Sequence, residues 1–297
     1  MGFKETAEEF AFAKILYNEP MKKHTSLGVG GNAKYFAKID SLYSLNSLIQ
    51  IAKECGVKYK VIGNGTNVLV SDLGFDGLII TTKGLADIMM KRDKVRAMAG
   101  APLDKLIKFN LDHGFTGLES LSGIPATVGG AVVMNAGAFG HNISEHVYEI
   151  ETIADGKIKR YFKDECKFCY RGSRFLKSKE TVVSATFEFD ENAKEIILAG
   201  MKTYLELRKH MHPTGRSCGS VFKNPKPDSA GALIDRAGLK GVAIGGAKIS
   251  AKHGNFITTS PSATALDVRK LILHIKEKIK DVFGVELKEE VEYVGEF

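Results

Sequence analysis

The sequence predicts an α+β fold in several interleaved pieces, and three observations carry that prediction. Short β-branched or aromatic runs recur through the first half, each too brief to be a helix. Longer stretches with helical periodicity and recognisable caps lie between and beyond them. From residue 214 to 260 glycines break the chain into short elements, and no linker, repeat or low-complexity segment interrupts it.

Taken in order, residues 6–17 read as a short helix, with Ala7, Phe10, Ala11, Ile15 and Leu16 on one stripe before Pro20. A second helix runs from Ser41, a side chain suited to an N-cap, to Cys55, where Gly56 stops it. Around it, residues 35–39, 58–62, 78–81 and 94–98 read as strands. A third helix fits 102–113, with proline at its first turn and Gly114 just past its end. Residues 147–162 form a hairpin turning at Asp155-Gly156, a dipeptide that accepts positive φ. A strand over 181–189, a long helix over 192–211 and another over 262–283, closed by Gly284, follow. Two short strands end the chain.

At 297 residues the chain can bury a sizeable core and make two or three domains. Its 42 basic and 35 acidic residues give a net charge of +7, which favours anionic partners. Nucleic acid is the first to test, but there is no basic block and no aromatic-interleaved RNA-binding run; small molecules carrying diphosphates suit the charge as well. No apolar run reaches membrane-spanning length, and the acidic N-terminus lacks signal-peptide character, so the expectation is a cytoplasmic protein. Cys55, Cys166, Cys169 and Cys218 are too few for a disulfide framework. Cys166 and Cys169 form a Cys-x-x-Cys, yet the other two cysteines make no second pair, so no metal is expected.

Two glycine-rich stretches carry the functional signal. Val61-Ile62-Gly63-Asn64-Gly65-Thr66-Asn67-Val68-Leu69-Val70 places a loop directly after a strand, where backbone N–H groups can face a phosphate. A Rossmann fingerprint would open a helix, but these glycines run into a strand-like sequence; no Gly-Lys-Ser/Thr of a P-loop occurs either. The second is Ser122-Gly123-Ile124-Pro125-Ala126-Thr127-Val128-Gly129-Gly130-Ala131, followed by Met134-Asn135-Ala136-Gly137-Ala138. Small residues at so many positions leave room for something large and flat against the backbone. Ordering glycine is costly, which argues against such density for packing alone.

This pair of loops resembles the FAD site of the UDP-N-acetylenolpyruvoylglucosamine reductase (UDP-N-acetylmuramate dehydrogenase) family. The resemblance runs from His24-Thr25-Ser26-Leu27-Gly28-Val29-Gly30-Gly31 to Glu290-Val291. It implies a two-part FAD-binding domain of the vanillyl-alcohol-oxidase (PCMH) type with a smaller α+β substrate-binding domain. The parts would be residues 1–82, residues 83–200 joined by the C-terminal strands of 286–297, and residues 201–285. FAD would be held by Gly63, Asn64, Gly65, Thr66 and Asn67, and by Ser122, Gly123, Ile124, Pro125, Thr127, Gly129, Gly130, Asn135 and Gly137. The implied reaction is NADPH-dependent, FAD-mediated reduction of UDP-N-acetylglucosamine enolpyruvate to UDP-N-acetylmuramate, in peptidoglycan synthesis. The implied partners are small molecules only, without nucleic acid or membrane, on a monomer.

Three further segments fit that chemistry. Hydride addition at C3 of the enolpyruvyl group leaves charge at C2, delocalised into its carboxylate, and C2 must then gain a proton. Tyr170-Arg171-Gly172-Ser173-Arg174-Phe175 resembles the family's Tyr-Arg-x-Ser-x-Phe, so Arg171 would be the cation beside the carboxylate and Tyr170 a substrate contact. Gly219-Ser220-Val221-Phe222-Lys223-Asn224-Pro225 resembles Gly-Ser-x-Phe-Lys-Asn-Pro, implying Ser220 as proton donor and Asn224 and Lys223 as sugar-nucleotide ligands. Leu287-Lys288-Glu289-Glu290-Val291 parallels Leu-Glu-Pro-Glu-Val, with Glu290 in the catalytic register and Glu289 its alternative. His253 reads as structural rather than as an acid or base.

The short stretch between Arg171 and Ser220 resembles the family branch without an extra tyrosine-bearing loop. Arg208-Lys209-His210-Met211-His212-Pro213 replaces the usual basic and proline positions, leaving the cation for the diphosphate open. The rival readings are another FAD-dependent oxidase or dehydrogenase on the same scaffold and a basic nucleotide- or RNA-binding protein without catalysis.

Overall fold

The stripe read as one helix over residues 6–17 divides into two elements. Helix α1 is Phe3–Phe10, and Ile15–Pro20 is a strand whose Ile15 is buried. Ile15 and Leu16 continue the helical spacing by coincidence. In the structure, a computed structural model that describes residues 2–10, 13–178 and 180–297, Ala11 lies outside the described part.

The chain forms two units, one of residues up to 16, 35–64 and 77–207, the other of residues 17–34, 65–76 and 208–297. In the first, Ser41 caps helix α2, Leu42–Glu54, by accepting from the Ser44 N–H at 3.1 Å. The Tyr59–Ile62 strand follows and pairs in parallel with Phe75–Thr81, from Tyr59↔Leu78 to Ile62↔Thr81. Leu45, Leu48, Ile49 and Ala52 of α2 pack with Leu78 and Ile80 in one core, which Phe3 and Ala7 of α1 join.

A five-stranded antiparallel sheet forms the rest of this unit, ordered Lys157–Phe162, Val147–Ala154, Thr181–Phe187, Lys94–Met98, Ile88–Lys91. Asp155 (φ 49) and Gly156 (φ 77) turn its hairpin, as the sequence predicts. Helices α3, Leu103–His113, and α4, Val128–Met134, belong to its core through Leu103, Leu106, Ile107, Val128, Ala131 and Val132, which cluster with Ile150, Ala185 and Phe187. Gly114 ends α3 at φ 75, a left-handed value that costs glycine little. Helix α4 is a correction, because residues 128–131 read as part of a loop in sequence. Small residues hide a helix whose inner side is Val128, Ala131 and Val132.

Helix α5, Lys194–Met211, carries the chain from the first unit into the second. There, Ser217–Ser220, Phe256–Thr259, Ala247–Ile249 and Ala243–Ile244 form a four-stranded sheet in that order, with α6, Ala230–Arg236, inserted in sequence. Helix α7, Ala265–Phe283, buries Val268, Leu271, Ile272, Ile275 and Ile279 in the core of this unit. Its N-terminus is doubly capped. Thr264 and Asp267 form a capping box, and the Asp72 carboxylate accepts from the N–H groups of Ala265 and Leu266, both at 2.8 Å. Of the two closing strands expected from sequence, one is Glu292–Val294, parallel to Val68–Val70; the other reduces to a single bridge, Phe222↔Glu289.

Candidate active site

In the first unit the structure brings the two small-residue loops together. The Gly63 carbonyl accepts from the Thr81 hydroxyl at 3.1 Å, and a Cβ on Gly63 would run into the Thr127 hydroxyl. Asn64 Nδ2 donates to the Pro125 carbonyl at 2.8 Å. Thr127 also caps α4, its hydroxyl accepting from the Gly130 N–H at 3.3 Å. Beneath, Gly129 donates to the Ala99 carbonyl at 2.8 Å, and a Cβ on it would press on Ala99. Ser122, Thr127 and Gly129 are buried while Gly123, Pro125 and Gly130 are exposed, so bare backbone on a packed base faces outward.

Helix α4 ends at Asn135 with a left-handed φ of 47°, which asparagine tolerates better than most residues. The buried Asn135 side chain is a joint. Its Oδ1 accepts from the Ser144 N–H at 3.3 Å and its Nδ2 donates to the Cys169 carbonyl at 3.0 Å. That second bond holds the turn of residues 169–172, which Cys169 and Gly172 close by exchanging backbone bonds of 3.0 and 3.2 Å. Tyr170 and Arg171 form its tip.

Arg171 takes φ 52°, strained for a side chain of its size and of the kind that clusters at functional sites. Its Nη2 donates to the Gly137 carbonyl at 2.8 Å, and its guanidinium lies over the Tyr170 ring at 5.2 Å. Nearby, the Ser173 hydroxyl donates to the Val133 carbonyl at 2.8 Å. Arg171, Tyr170, Asn135 and Gly137 thus form one cluster.

The second unit gathers the remaining predicted residues. Gly65 has φ 67°, and a Cβ there would strike the His24 carbonyl. Past Thr66, Asn67 Nδ2 donates to the Glu290 carbonyl at 3.0 Å, and the Asn67 carbonyl accepts from the Glu292 N–H at 2.9 Å. The serine and glutamate segments run side by side: Glu290 N–H donates to Val221 O and Lys223 N–H to Lys288 O, both at 2.8 Å. Buried Asn255 clamps the serine segment, accepting from the Phe222 N–H at 2.9 Å and donating to its carbonyl at 2.8 Å. Asn224 Oδ1 accepts from the Ala230 N–H at 3.1 Å.

Electrostatics divide the two glutamates. The Glu289 carboxylate takes Lys276 Nζ at 2.9 Å and Arg269 Nη1 at 3.6 Å, both on α7. Burial pushes the Cys218 thiol up to about 12, and the charge of Glu290 adds to that rise. The His253 Nδ1 accepts from the Asn255 N–H at 3.2 Å, and burial lowers the ring's pKa, so it braces the clamp as a neutral ring. Among the described residues, no group of three or more His, Cys, Asp or Glu side chains could hold a metal ion. No helix among them is long and apolar enough to cross a membrane.

Comparison with known proteins decides the family. The UDP-N-acetylenolpyruvoylglucosamine reductase of Geotalea uraniireducens is 40% identical over 95% of this chain and 94% of its own. This chain belongs to that family. Residues 210–294 match the C-terminal domain of UDP-N-acetylenolpyruvoylglucosamine reductase, and residues 33–161 match an FAD binding domain. The crystal structure of the Thermus caldophilus reductase superposes with a TM-score of 0.81 at 34% identity, covering 95% of this chain and 99% of that one. Physcomitrella patens BBE-like 1, at 15% identity and a TM-score of 0.51 over 64% of this chain and 45% of its own, shares the fold alone. The chain is therefore an FAD-dependent oxidoreductase with the FAD-binding fold of PCMH type expected from its loops.

Sequence reasoning missed the Asn135 joint and the Asn255 clamp as positioning groups. Asn135 ends a small-residue helix, and Asn255 follows Gly254 just beyond His253. Neither carries a sequence signal for a positioning role.

Proposed function

We propose that this reductase carries out NADPH-dependent reduction of UDP-N-acetylglucosamine enolpyruvate to UDP-N-acetylmuramate, in the cytoplasm, for peptidoglycan synthesis. The observation that supports it most is the pairing of the serine and glutamate segments side by side, which brings the backbone of Glu290 against Val221, next to Ser220. An oxidase on the same scaffold gives no reason for that pairing or for a strained Arg171.

The FAD binding residues fit the group. A Cβ on Gly63 would strike the Thr127 hydroxyl, so glycine lets the two loops pack together, and the loop of residues 122–130 exposes Gly123, Pro125 and Gly130. Gly63, Asn64, Gly65, Thr66 and Asn67 would hold the diphosphate, with residues 122–137 around the rest. When bound, FAD supplies the hydride relay between nicotinamide and C3 of the enolpyruvyl group.

The protein's residues do the rest. Arg171 offers a permanent, planar cation to the substrate carboxylate, its direction fixed by the Gly137 carbonyl and the Tyr170 ring. As charge grows at C2 and spreads into that carboxylate, the guanidinium stabilises it more than it stabilises the ground state. Ser220 gives its hydroxyl proton to C2; an alcohol is a weak acid, but the carbanion is a strong base. Glu290 completes the reacting end from the neighbouring segment. Asn224 and Lys223 hold the sugar nucleotide, on a monomer that takes small molecules and neither nucleic acid nor membrane.

The test is an anaerobic assay on purified yellow protein. NADPH should bleach the flavin, and UDP-N-acetylglucosamine enolpyruvate should restore the colour in a stoichiometric amount. No reoxidation by the enolpyruvyl substrate, with prompt reoxidation once oxygen is admitted, would favour an oxidase and overturn the proposal.

A further inference from the structure

Glu289 and Glu290 are neighbours in an extended segment, so their side chains leave opposite sides of it. The Glu289 side chain is 18% exposed and reaches α7, with Lys276 at 2.9 Å and Arg269 at 3.6 Å. Arg269 is itself seated on the Tyr293 ring at 4.6 Å, in the strand just beyond. Both cations stand on a helix whose Val268, Leu271, Ile272 and Ile275 are buried, so the anchor is rigid. The backbone of the glutamate segment is held as well: Lys223 N–H to Lys288 O and Glu290 N–H to Val221 O make the bridge at Glu289, and Asn67 accepts from the Glu292 N–H and donates to the Glu290 carbonyl. These bonds act on the backbone, and the Glu289 ion pairs add a side-chain tie on the α7 side.

From this arrangement we infer that Glu289, with Lys276 and Arg269, is a positioning residue that ties the segment to α7 on one side and so keeps Glu290 aimed away from α7. The two cations are partly exposed, 29% for Arg269 and 37% for Lys276, and either can partner Glu289 without the other, so losing one pair should cost stability modestly and leave the fold intact. The consequence belongs to the aim of Glu290, where a displacement of about 1 Å can cost on the order of 10²-fold in rate. The inference rests on the reading of Glu290 as part of the reacting end.

Glu289→Gln in the flavin-loaded enzyme keeps the size of the side chain and removes its charge; Lys276→Met breaks the same pair from the other side. Both should melt close to the unaltered protein and bind the sugar nucleotide with unchanged affinity by calorimetry, since the two side chains are engaged with each other. Flavin reduction by NADPH should stay within about twofold, while reoxidation by the enolpyruvyl substrate slows about tenfold. Added to Glu290→Gln, Glu289→Gln should slow reoxidation no further, because it acts through Glu290. Normal reoxidation in Glu289→Gln and Lys276→Met, equal slowing of both half-reactions, or full additivity with Glu290→Gln would each overturn the positioning role. If Glu290→Gln alone reoxidises normally, the reading of Glu290 is wrong and the positioning role falls with it. If Glu290→Gln is slow and Glu289→Gln normal, only the positioning role falls.

Discussion

Arg171 Nη2 donates to the carbonyl of Gly137 at 2.8 Å, across 34 residues of sequence. A Cβ on Gly137 would lie 2.7 Å from the His141 carbonyl oxygen, 3.0 Å from Asn142 Cβ and 3.2 Å from Arg171 Nη1, so a side chain here must move the backbone that the guanidinium bonds. Gly137→Ala should displace that guanidinium, lowering kcat/KM for the enolpyruvyl substrate about tenfold per flavin bound. Steady-state kinetics with the flavin spectrum as a control would check this; unchanged kcat/KM would mean that Arg171 is not held by Gly137.

Gly63 makes the corresponding prediction for the cofactor. Gly63→Ala forces a methyl group into the Thr127 hydroxyl, and so parts the two loops. The variant should purify with severalfold less flavin per chain. Adding Thr127→Ala removes the obstacle at the cost of the α4 cap, about 1 kcal/mol, and should restore part of the flavin. Full flavin in Gly63→Ala would remove these loops from the cofactor site.

The loops, the Arg171 turn and the serine and glutamate segments were legible in sequence because each depends on local residue types, namely glycine where a Cβ collides and short motifs in fixed order. What was not legible depends on partners distant in sequence. Asn135 reaches Cys169, Asn255 reaches Phe222, and Glu289 reaches Lys276, and no periodicity encodes such pairs. Helix α4 was hidden because glycine and alanine mask helical periodicity, and α1 was overextended because Ile15 and Leu16 kept the helical spacing into a strand.

The His212 ring lies against Phe256 with centroids 4.7 Å apart and meets His253 edge-on at 5.6 Å. Burial, with Arg208, His253 and Lys252 nearby, pushes its pKa down to about 4. The unfolded chain would bind that proton near pH 6.5, so the ring's contribution to stability is complete above that pH and is lost as pH falls toward 4. His212→Phe should therefore shrink the fall in thermal midpoint between about pH 7.5 and 5. An unchanged fall would show that His212 takes up its proton without strain in the folded protein.

Cys166 is buried, its thiol 3.3 Å from the Phe162 carbonyl and pushed up to about 12 by burial, whereas Cys169 is exposed. A thiol held that high is a poor nucleophile at neutral pH. The Cys166→Ala/Cys169→Ser variant should keep turnover within a few-fold of the unaltered enzyme. A loss as deep as that of Arg171→Ala would give the pair a part in the chemistry.

The most direct test of the central claim is Ser220→Ala followed by stopped-flow absorbance, because it separates the two half-reactions. Bleaching of the flavin by NADPH needs no acid at the substrate position and should run at nearly the normal rate. Reoxidation by UDP-N-acetylglucosamine enolpyruvate requires a proton at C2 and should slow by at least the roughly 10²- to 10⁴-fold that general acid catalysis supplies. Cysteine at this position should slow it less than alanine. A variant that is slow to bleach and normal to reoxidise would contradict the account and take the proton-donating role away from Ser220.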